Sequence, residues 1–214
     1  MIDEGYTKYA VDWTRGGLEP GPMIDALDAC RQRLVQAGLI GHDETHDVGF
    51  GNLSVRDGNA FIISGTQTGH VDRTTHAHYA RVTSADIDRN RVACVGAVQA
   101  SSESMTHAAI YAAAADVGAV VHVHDESLWQ ASLGRLPTTD ANIAYGTPDM
   151  ARELQRLLEE TAFGSEGLAV MAGHEGGLIA IGKDLEEATG RMLDYQKTGE
   201  TGETGSGTTI SGAG

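Results

Sequence analysis

An alanine-rich segment that leads directly into an apolar segment ending in two histidines constrains the fold more than any other feature. The first, SSESMTHAAIYAAAA (residues 101–115), predicts a helix because alanine dominates it and its Ser/Ser/Glu start suits the positive end of a helix dipole. The second, residues 117–124, predicts a buried strand. The sequence therefore predicts a helix packed next to a strand that carries His122 and His124.

Short elements separated by turn residues surround this pair. Helical spacing of apolar residues predicts a helix at 22–39, and further helices are predicted at 148–160 and 184–196. Strand pairs are predicted at 48–56 with 60–63, on either side of Arg89 and Asn90, and in LAVMAG with GLIAIG. The polar segment 65–80 is predicted to be a loop with a helical turn. Hairpins with interposed helices predict an α+β or layered α/β/α domain with a largely antiparallel sheet.

Length and charge limit the function classes. A chain of 214 residues supports one sizeable core, and 30 acidic against 15 basic residues give a net charge of −15. This charge argues against nucleic acid or an anionic membrane as a partner, so an anionic substrate needs a locally favourable pocket. No apolar stretch approaches the roughly 20 residues of a membrane span, and the first ten residues lack signal-peptide features, so we expect a cytoplasmic protein. Cys30 and Cys94 are predicted to be buried thiols.

Three histidines form a candidate metal site. His122 and His124 lie two apart on the predicted strand and therefore project from the same face, and His174 lies between glycines at a turn between strands. Three histidines with one open position are typical of a catalytic transition metal, most often zinc. The alternative is a set of hydrogen-bonded core or surface histidines. A second His-x-His pair, His76 and His78, would diverge by about 200° on a helix, which argues against a second metal.

Polar residues elsewhere could complete such a site. Glu103 lies at the start of the alanine-rich helix, where it serves the helix dipole or acts as a fourth ligand or base beside the metal. Ser101 and Ser102 offer hydroxyl and N–H groups at the helix start, which suit an anion or simple capping. Asn52 and Gly65 belong to the Gly-Asn and Ser-Gly pairs, which add donors or form a bulge and a turn.

Five motifs resemble, in order and spacing, the successive motifs of the class II aldolase and adducin family: GFGNLSVR (49–56), IISGT (62–66), SSESMTHAAIY (101–111), VVHVH (120–124) and MAGHEG (171–176). The resemblance covers roughly residues 22–197. It leaves residues 1–21 as an amino-terminal extension and residues 198–214 as a Gly/Thr-rich tail. The resemblance implies a three-layer α/β/α sandwich with a largely antiparallel central sheet. It also implies a cyclic homotetramer with active sites at subunit contacts.

The resemblance further implies a metal-dependent aldehyde-lyase that cleaves a small sugar or ketose phosphate by retro-aldol chemistry through a metal-stabilised enediolate. One divalent ion per subunit is implied, zinc first and Mn²⁺, Co²⁺ or Fe²⁺ as alternatives, bound by His122, His124, His174 and Glu103. Glu103 is also implied as the acid/base. The implied phosphate cradle is Asn52, Ser64, Gly65, Ser101 and Ser102. Tyr145 is the candidate second acid because it follows the His-x-His motif at about the interval of a family tyrosine, and a packing role is its alternative.

Departures from the family pattern keep other functions open. IISGT lacks the frequent Thr-Pro before Ser-Gly, and the histidine-containing loop at 65–80 is unusual, so phosphate geometry and substrate are not fixed. Glu103 favours an aldolase over the epimerases, which usually carry Asp there. The absence of Glu from residues 127–148 argues against a dehydratase. A non-catalytic, adducin-like interaction module is the remaining alternative, and the intact Glu/His set argues against it.

Overall fold

The computed structural model describes residues 6–202, with side chains through residue 199. Its helices are α1 (Pro22–Gln36), α2 (Ser104–Ala113), α3 (Glu126–Ser132), α4 (Pro148–Glu160), α5 (Phe163–Glu166) and α6 (Leu185–Gly202), with a 3-10 turn at His76–His78. Its strands are β1 (Ala10–Arg15), β2 (Gly41–Asp43), β3 (Val48–Phe50), β4 (Asn52–Asp57), β5 (Ala60–Ser64), β6 (Tyr79–Asp86), β7 (Arg91–Gly96), β8 (Ala119–His124), β9 (Leu168–Val170) and β10 (Gly177–Gly182).

Eight strands form one central sheet in the order β1-β7-β6-β5-β4-β8-β10-β9, and β2 with β3 forms a separate two-stranded sheet. Every neighbouring pair in the central sheet is antiparallel except β1 with β7. One core, which includes Met105 and Leu154, lies under α2 and α4, and the other, which includes Leu34 and Met192, lies under α1 and α6. The predicted layered α/β/α fold with a largely antiparallel sheet is confirmed.

Strand β8 shows how the sheet directs side chains to its two faces. Val120 belongs to the core on the side of α2, whereas Val121 and Val123 belong to the core on the side of α1. Because side chains alternate along a strand, His122 and His124 project from the same face as Val120. Both histidines therefore lie on the α2 side of the sheet.

The predicted strand at 48–56 is divided in the structure. Gly51 separates β3 from β4 with a φ of +74°, and a Cβ there would lie 2.7 Å from Cγ1 of Ile40. After this turn, β4 pairs with β5 as the predicted hairpin does, while β3 pairs with β2. Only glycine combines the left-handed backbone with such a close approach.

Other differences concern the ends and number of helices. Helix α2 begins at Ser104, so the predicted helical start at 101 is wrong and Glu103 is the N-cap residue. Helices α3 and α5 lie in segments for which no element is predicted from the sequence, and both are at most two turns long. In α3 the Asp125 side chain accepts a hydrogen bond from Leu128 N, a local cap that the helical periodicity does not reveal.

The two terminal segments also contribute to the fold. Within residues 1–21, predicted as an extension, β1 forms an edge strand beside β7. Helix α6 continues to Gly202, past the predicted start of the tail at 198, and residues 203–214 lie outside the described residues. Cys30 and Cys94 are buried free thiols, as predicted. Between residues 6 and 202 no helix is both long enough and apolar enough to cross a membrane.

A buried polar chain joins β4 to α2 beneath the sheet surface. Ser54 Oγ lies 2.7 Å from His107 Nδ1 and 2.8 Å from the Tyr111 hydroxyl. Burial lowers the pKa of His107 from 6.5 to about 3. Between about pH 6.5 and pH 3, His107 is therefore neutral in the folded protein and protonated in the unfolded chain.

We expect this histidine to make the fold sensitive to acid. Below pH 6.5 the unfolded state binds a proton that folded His107 cannot, so its contribution is lost as pH falls, by about 1.4 kcal/mol per pH unit until near pH 3. At pH 5 the loss reaches about 2 kcal/mol. The free energy of unfolding, measured with urea at several pH values between 7.5 and 5, should fall with a shallower slope against pH for His107→Asn than for the control His46→Asn, an exposed site. Equal slopes for the two variants would contradict this origin of the acid sensitivity.

Candidate metal centre

Three histidines from two parts of the chain converge at the end of β8. His122 and His124 come from β8, and His174 comes from the loop between β9 and β10. One ring nitrogen from each lies within 4.8 Å of the others, and the ring centroids are separated by 4.5 to 5.0 Å. The structure brings together the three histidines that the sequence singles out as a candidate metal site.

The protonation of His122 suits a metal ligand. Its Nδ1 lies 3.1 Å from the carbonyl oxygen of Leu178, so Nδ1–H donates there and Nε2 keeps its lone pair. Burial first, and then the neighbouring rings of His124, His174 and His107, hold the pKa of His122 well below 6.5. A neutral imidazole with a fixed tautomer is the form that binds a metal.

The spacing of the nitrogens also fits a metal. His122 Nε2 and His124 Nε2 are 3.1 Å apart. Two nitrogens bound tetrahedrally to one zinc at about 2.05 Å would be about 3.3 Å apart. The three imidazoles thus form a nitrogen donor set of the size that a transition metal requires, with room for substrate at a fourth position.

Two of the three histidines, His124 and His174, line a cavity of about 690 Å³. Its lining includes His124, His174, Phe50, Tyr145 and Lys8. The Tyr145 ring is stacked on His174, with centroids 4.2 Å apart and 18° between the planes. Tyr145 is 5% exposed, so its ring packs in the wall while it borders the cavity. The sequence-predicted tyrosine therefore lies directly beside the histidine group.

Glu103 lies near this group without belonging to it. The group of ligand atoms consists of the three histidines, and the Glu103 side chain, 2% exposed, lines a second pocket instead. A Cβ added to Gly146 would lie 3.8 Å from Glu103 Oε1, which places the carboxylate next to the segment that carries Tyr145. Glu103 is thus a buried carboxylate close to the wall that Tyr145 shares with the histidines.

Most of the predicted phosphate cradle lines this second pocket. Asn52, Gly65, Ser101 and Ser102 contribute to its wall together with Glu103 and Thr66 to Gly69. Glu103 N donates to Ser101 Oγ at 3.2 Å, and Asn52 lies opposite His122 in the β4–β8 pair. The pocket measures about 30 Å³, which is room for one or two water molecules.

Ser64 differs from the other cradle residues. Its hydroxyl lies 3.3 Å from both the N and the O of Leu53 and so bridges β5 to β4. The backbone oxygen of Ser64 accepts from Ser101 N at 3.1 Å. The side chain of Ser64 therefore supports the strand pair, and the residue contacts the cradle through its backbone.

Two residues of the amino-terminal segment contact the site and escaped the sequence analysis. The Tyr9 hydroxyl donates to Ser101 O at 2.6 Å, and burial raises the pKa of Tyr9. Lys8 Nζ lies 3.8 Å from the centroid of the Tyr145 ring. The sequence does carry a signal for the strand that places this segment, because Tyr9, Val11 and Trp13 alternate with smaller or polar residues, a pattern typical of a half-buried strand.

Comparison with known proteins identifies the family. Residues 32–201 match the family described as the class II aldolase and adducin N-terminal domain. The chain belongs to the class II aldolase and adducin family. No curated protein matches this sequence.

Three solved structures are similar to this chain along nearly all of their own length. L-fuculose-1-phosphate aldolase from Thermus thermophilus is 20% identical, with a TM-score of 0.65 over 88% of this chain and 98% of that one. A sugar-phosphate aldolase from Thermotoga maritima is 15% identical, with a TM-score of 0.64 over 87% and 97%. The class II aldolase domain of a Thermoplasma acidophilum protein is 13% identical, with a TM-score of 0.57 over 88% and 97%. At these identities the likeness shows the shared fold.

Glycine is required at position 173, where the loop that carries His174 crosses the segment before Tyr145. A Cβ at Gly173 would lie 1.9 Å from the carbonyl oxygen of Ile143, a backbone atom that cannot rotate away. We expect Gly173→Ala to destabilise the protein by about 2 kcal/mol or more in urea unfolding, because the two segments must separate.

The matched control is Gly190→Ala in α6, where the added Cβ meets nothing within 4 Å. It should stabilise the fold by about 0.5–1 kcal/mol because alanine is the better helix former. A Gly173→Ala variant as stable as wild type would show that the loop is not held as the structure places it.

Proposed function

We propose that this chain is a metal-dependent class II aldolase, an aldehyde-lyase that cleaves a small sugar or ketose phosphate by retro-aldol chemistry. The observation that carries the proposal is the convergence of three ring nitrogens within 4.8 Å at the wall of a large cavity, in a member of the class II aldolase and adducin family. An interaction module without chemistry has no use for three imidazoles gathered at a substrate-sized cavity.

His122, His124 and His174 would hold one divalent ion, with zinc the first choice for three imidazoles. When bound, this ion supplies Lewis-acid stabilisation of the negative charge that develops on the ketose oxygens as the carbon–carbon bond breaks. The chain keeps the ligand geometry rigid, because His122 and His124 lie on a central strand and Leu178 O fixes the His122 ring.

Glu103 and Tyr145 are proposed to move protons on the two sides of the broken bond. Glu103, buried between the cradle pocket and the Tyr145 segment, would return the proton to the carbon that becomes the carbanion. Tyr145, stacked on His174, would act at the aldehyde oxygen: as a phenolate it would take up the hydroxyl proton during cleavage, and as a phenol it would return that proton in the reverse reaction. Glu103 lines the cradle pocket and Tyr145 lines the larger cavity, so each proton transfer would take place at its own end of the bond that breaks.

The cradle pocket is proposed to receive the phosphate of the ketose half. Asn52, Ser101 and Ser102 offer neutral donors beside Glu103. The pocket of about 30 Å³ must widen to admit a phosphate. A homotetramer with sites at subunit contacts is part of the same proposal and follows from the motifs shared with the family.

Metal content is the direct test of the histidine site. Purified, untagged wild-type protein should retain about one zinc or similar divalent ion per chain in elemental analysis, because three imidazoles form the donor set. His122→Ala should lose the metal while its circular dichroism stays close to wild type.

His76→Ala is the matched control, since this histidine belongs to the other His-x-His pair in the 3-10 turn, and it should retain full metal content. No metal in wild type after reconstitution, or unchanged metal in His122→Ala, would refute the site.

The role of Glu103 is tested by Glu103→Gln, which removes the acid/base group and keeps the shape of the side chain. We expect cleavage of a panel of ketose phosphates to fall by about 10²–10⁴ in kcat, the usual contribution of a general acid or base. Metal content should change far less, because the ligand group consists of the histidines. Wild-type turnover in Glu103→Gln, with metal bound, would show that another group transfers the proton.

A further inference from the structure

A buried arginine lies directly behind one wall of the cradle pocket. Arg31, on α1, is 1% exposed, and its Nη2 donates to the carbonyl oxygens of Thr68 at 2.9 Å and Gly69 at 3.2 Å. Both Thr68 and Gly69 line the cradle pocket. The guanidinium therefore contacts, from the protein side, the backbone that forms this part of the pocket wall.

The positive charge of Arg31 has no carboxylate in contact with it. Within the described residues, Arg31 donates hydrogen bonds only to these backbone carbonyls, and its buried Nη1 has no hydrogen-bond partner. Asp28 and Asp72 act on the charge through space, and the Asp28 carboxylate accepts hydrogen bonds from Thr74 instead. A buried charge without a contacting counter-ion is costly, so an anion held nearby would offset part of that cost.

The lining of the cradle pocket itself supplies no positive side chain. It consists of glycine, asparagine, glutamine, serine and threonine residues together with Glu103, and it includes neither lysine nor arginine. A phosphate monoester carries roughly −1.5 to −2 charges near neutral pH. In a chain with a net charge of −15, a positive group behind the wall makes this pocket locally favourable for such an anion.

The peptide between Thr68 and Gly69 connects the guanidinium to the pocket. This peptide is trans, so Gly69 N–H points away from the Thr68 oxygen that Arg31 binds. Gly69 N makes no hydrogen bond to another described residue. A Cβ at Gly49, which also lines the pocket, would lie 3.0 Å from Gly69 N, so glycine at that position leaves the amide uncovered. A donor bound to the carbonyl end of a peptide strengthens the N–H donor at its other end.

The wall segment that contains this peptide is held in one shape. Gln67 has a φ of +58°, a left-handed conformation that is uncommon for residues other than glycine, and a Cβ at Gly69 would collide with the carbonyl oxygen of Gly41. Strained backbone of this kind persists only where its surroundings fix it. The two hydrogen bonds from Arg31 belong to those surroundings.

We propose that Arg31 is a positioning residue of the cradle pocket, which directs the Gly69 amide to a phosphate oxygen and supplies the positive charge behind it. The pocket is then fitted to a phosphate monoester rather than to a neutral hydroxyl group. This inference rests on the proposed function for its assignment of the phosphate to the cradle. It adds a donor from the segment at 65–80, which departs from the family pattern.

The test is an NMR titration of the full, isotope-labelled chain, both zinc-loaded and metal-free, with glycerol 3-phosphate, inorganic phosphate and glycerol. In wild type, glycerol 3-phosphate should move the Gly69 amide proton to higher frequency, because its N–H gains a charged hydrogen bond. Glycerol should leave this signal in place. Inorganic phosphate should bind more weakly because it lacks the carbon chain, and an equal affinity would assign the pocket to free phosphate and overturn the role in substrate binding.

Arg31→Gln removes the charge and keeps a side-chain donor for the two carbonyls. It should weaken glycerol 3-phosphate binding roughly tenfold, the effect of a unit charge about 10 Å away at an effective dielectric constant of about 20, and should reduce the shift of the Gly69 signal. Arg31→Lys keeps the charge and should keep most of the affinity. Arg33→Gln is the matched control on the same helix, with a side chain 41% exposed, and should bind as wild type does.

An unmoved Gly69 signal in wild type, or equal affinities for Arg31→Gln and wild type, would overturn the proposal. So would an Arg31→Lys affinity as low as that of Arg31→Gln, which would mean that the charge has no role. Thermal unfolding of each variant separates loss of binding from loss of fold, and the wild-type Gly69 signal tests the proposal if Arg31→Gln does not fold.

The same samples keep this inference apart from the proposed aldolase activity. A Gly69 shift that depends on Arg31, in a protein that binds no metal and cleaves no ketose phosphate, would refute the aldolase proposal and leave Arg31 in its role. Cleavage of a ketose phosphate by a wild type whose Gly69 signal does not respond to glycerol 3-phosphate would do the reverse.

Discussion

The pairing of β8 with strands on both sides is the interaction on which the site depends. Strand β4 places Asn52 opposite His122, and β10 places Gly177 opposite His124. Both neighbours are antiparallel to β8, so the start of β4, the end of β8 and the start of β10 lie side by side with their loops. A shift of one residue in either pair would turn both histidines to the opposite face, into the core that contains Val121.

Burying these imidazoles has an energetic cost that the protein offsets in two ways. His122 is almost fully buried and its ring is held by the carbonyl of Leu178, which satisfies one nitrogen. Further from the cavity, another buried histidine, His107, is hydrogen-bonded through Nδ1 to the Ser54 hydroxyl, which is in turn hydrogen-bonded to the Tyr111 hydroxyl. His122 therefore meets a ligand as a neutral ring with one nitrogen already hydrogen-bonded, so it needs little reorganisation, which is the condition for a preorganised site.

The sequence predicts the central elements well because their signals are local. Helix α4 and strand β10 have the predicted bounds, and the histidine pair follows directly from the period of a strand. The contact of His174 with His122 and His124 spans about fifty residues, and its one local signal was the position of His174 between glycines at a predicted turn, which the similarity to the family motifs supported. Helix α3 and the contribution of Lys8 were missed because each depends on a short cap or on a distant ring rather than on periodicity.

The arrangement of the cavity separates what is fixed from what can change. His122 and His124 lie on a central strand, whereas Lys8 precedes an edge strand that pairs with one neighbour only, β7. An edge strand can be added, lost or replaced without altering the register of the strands inside the sheet. In evolution, a chain of this family could thus exchange this margin of the cavity while His122 and His124 kept their places on the unchanged central strands.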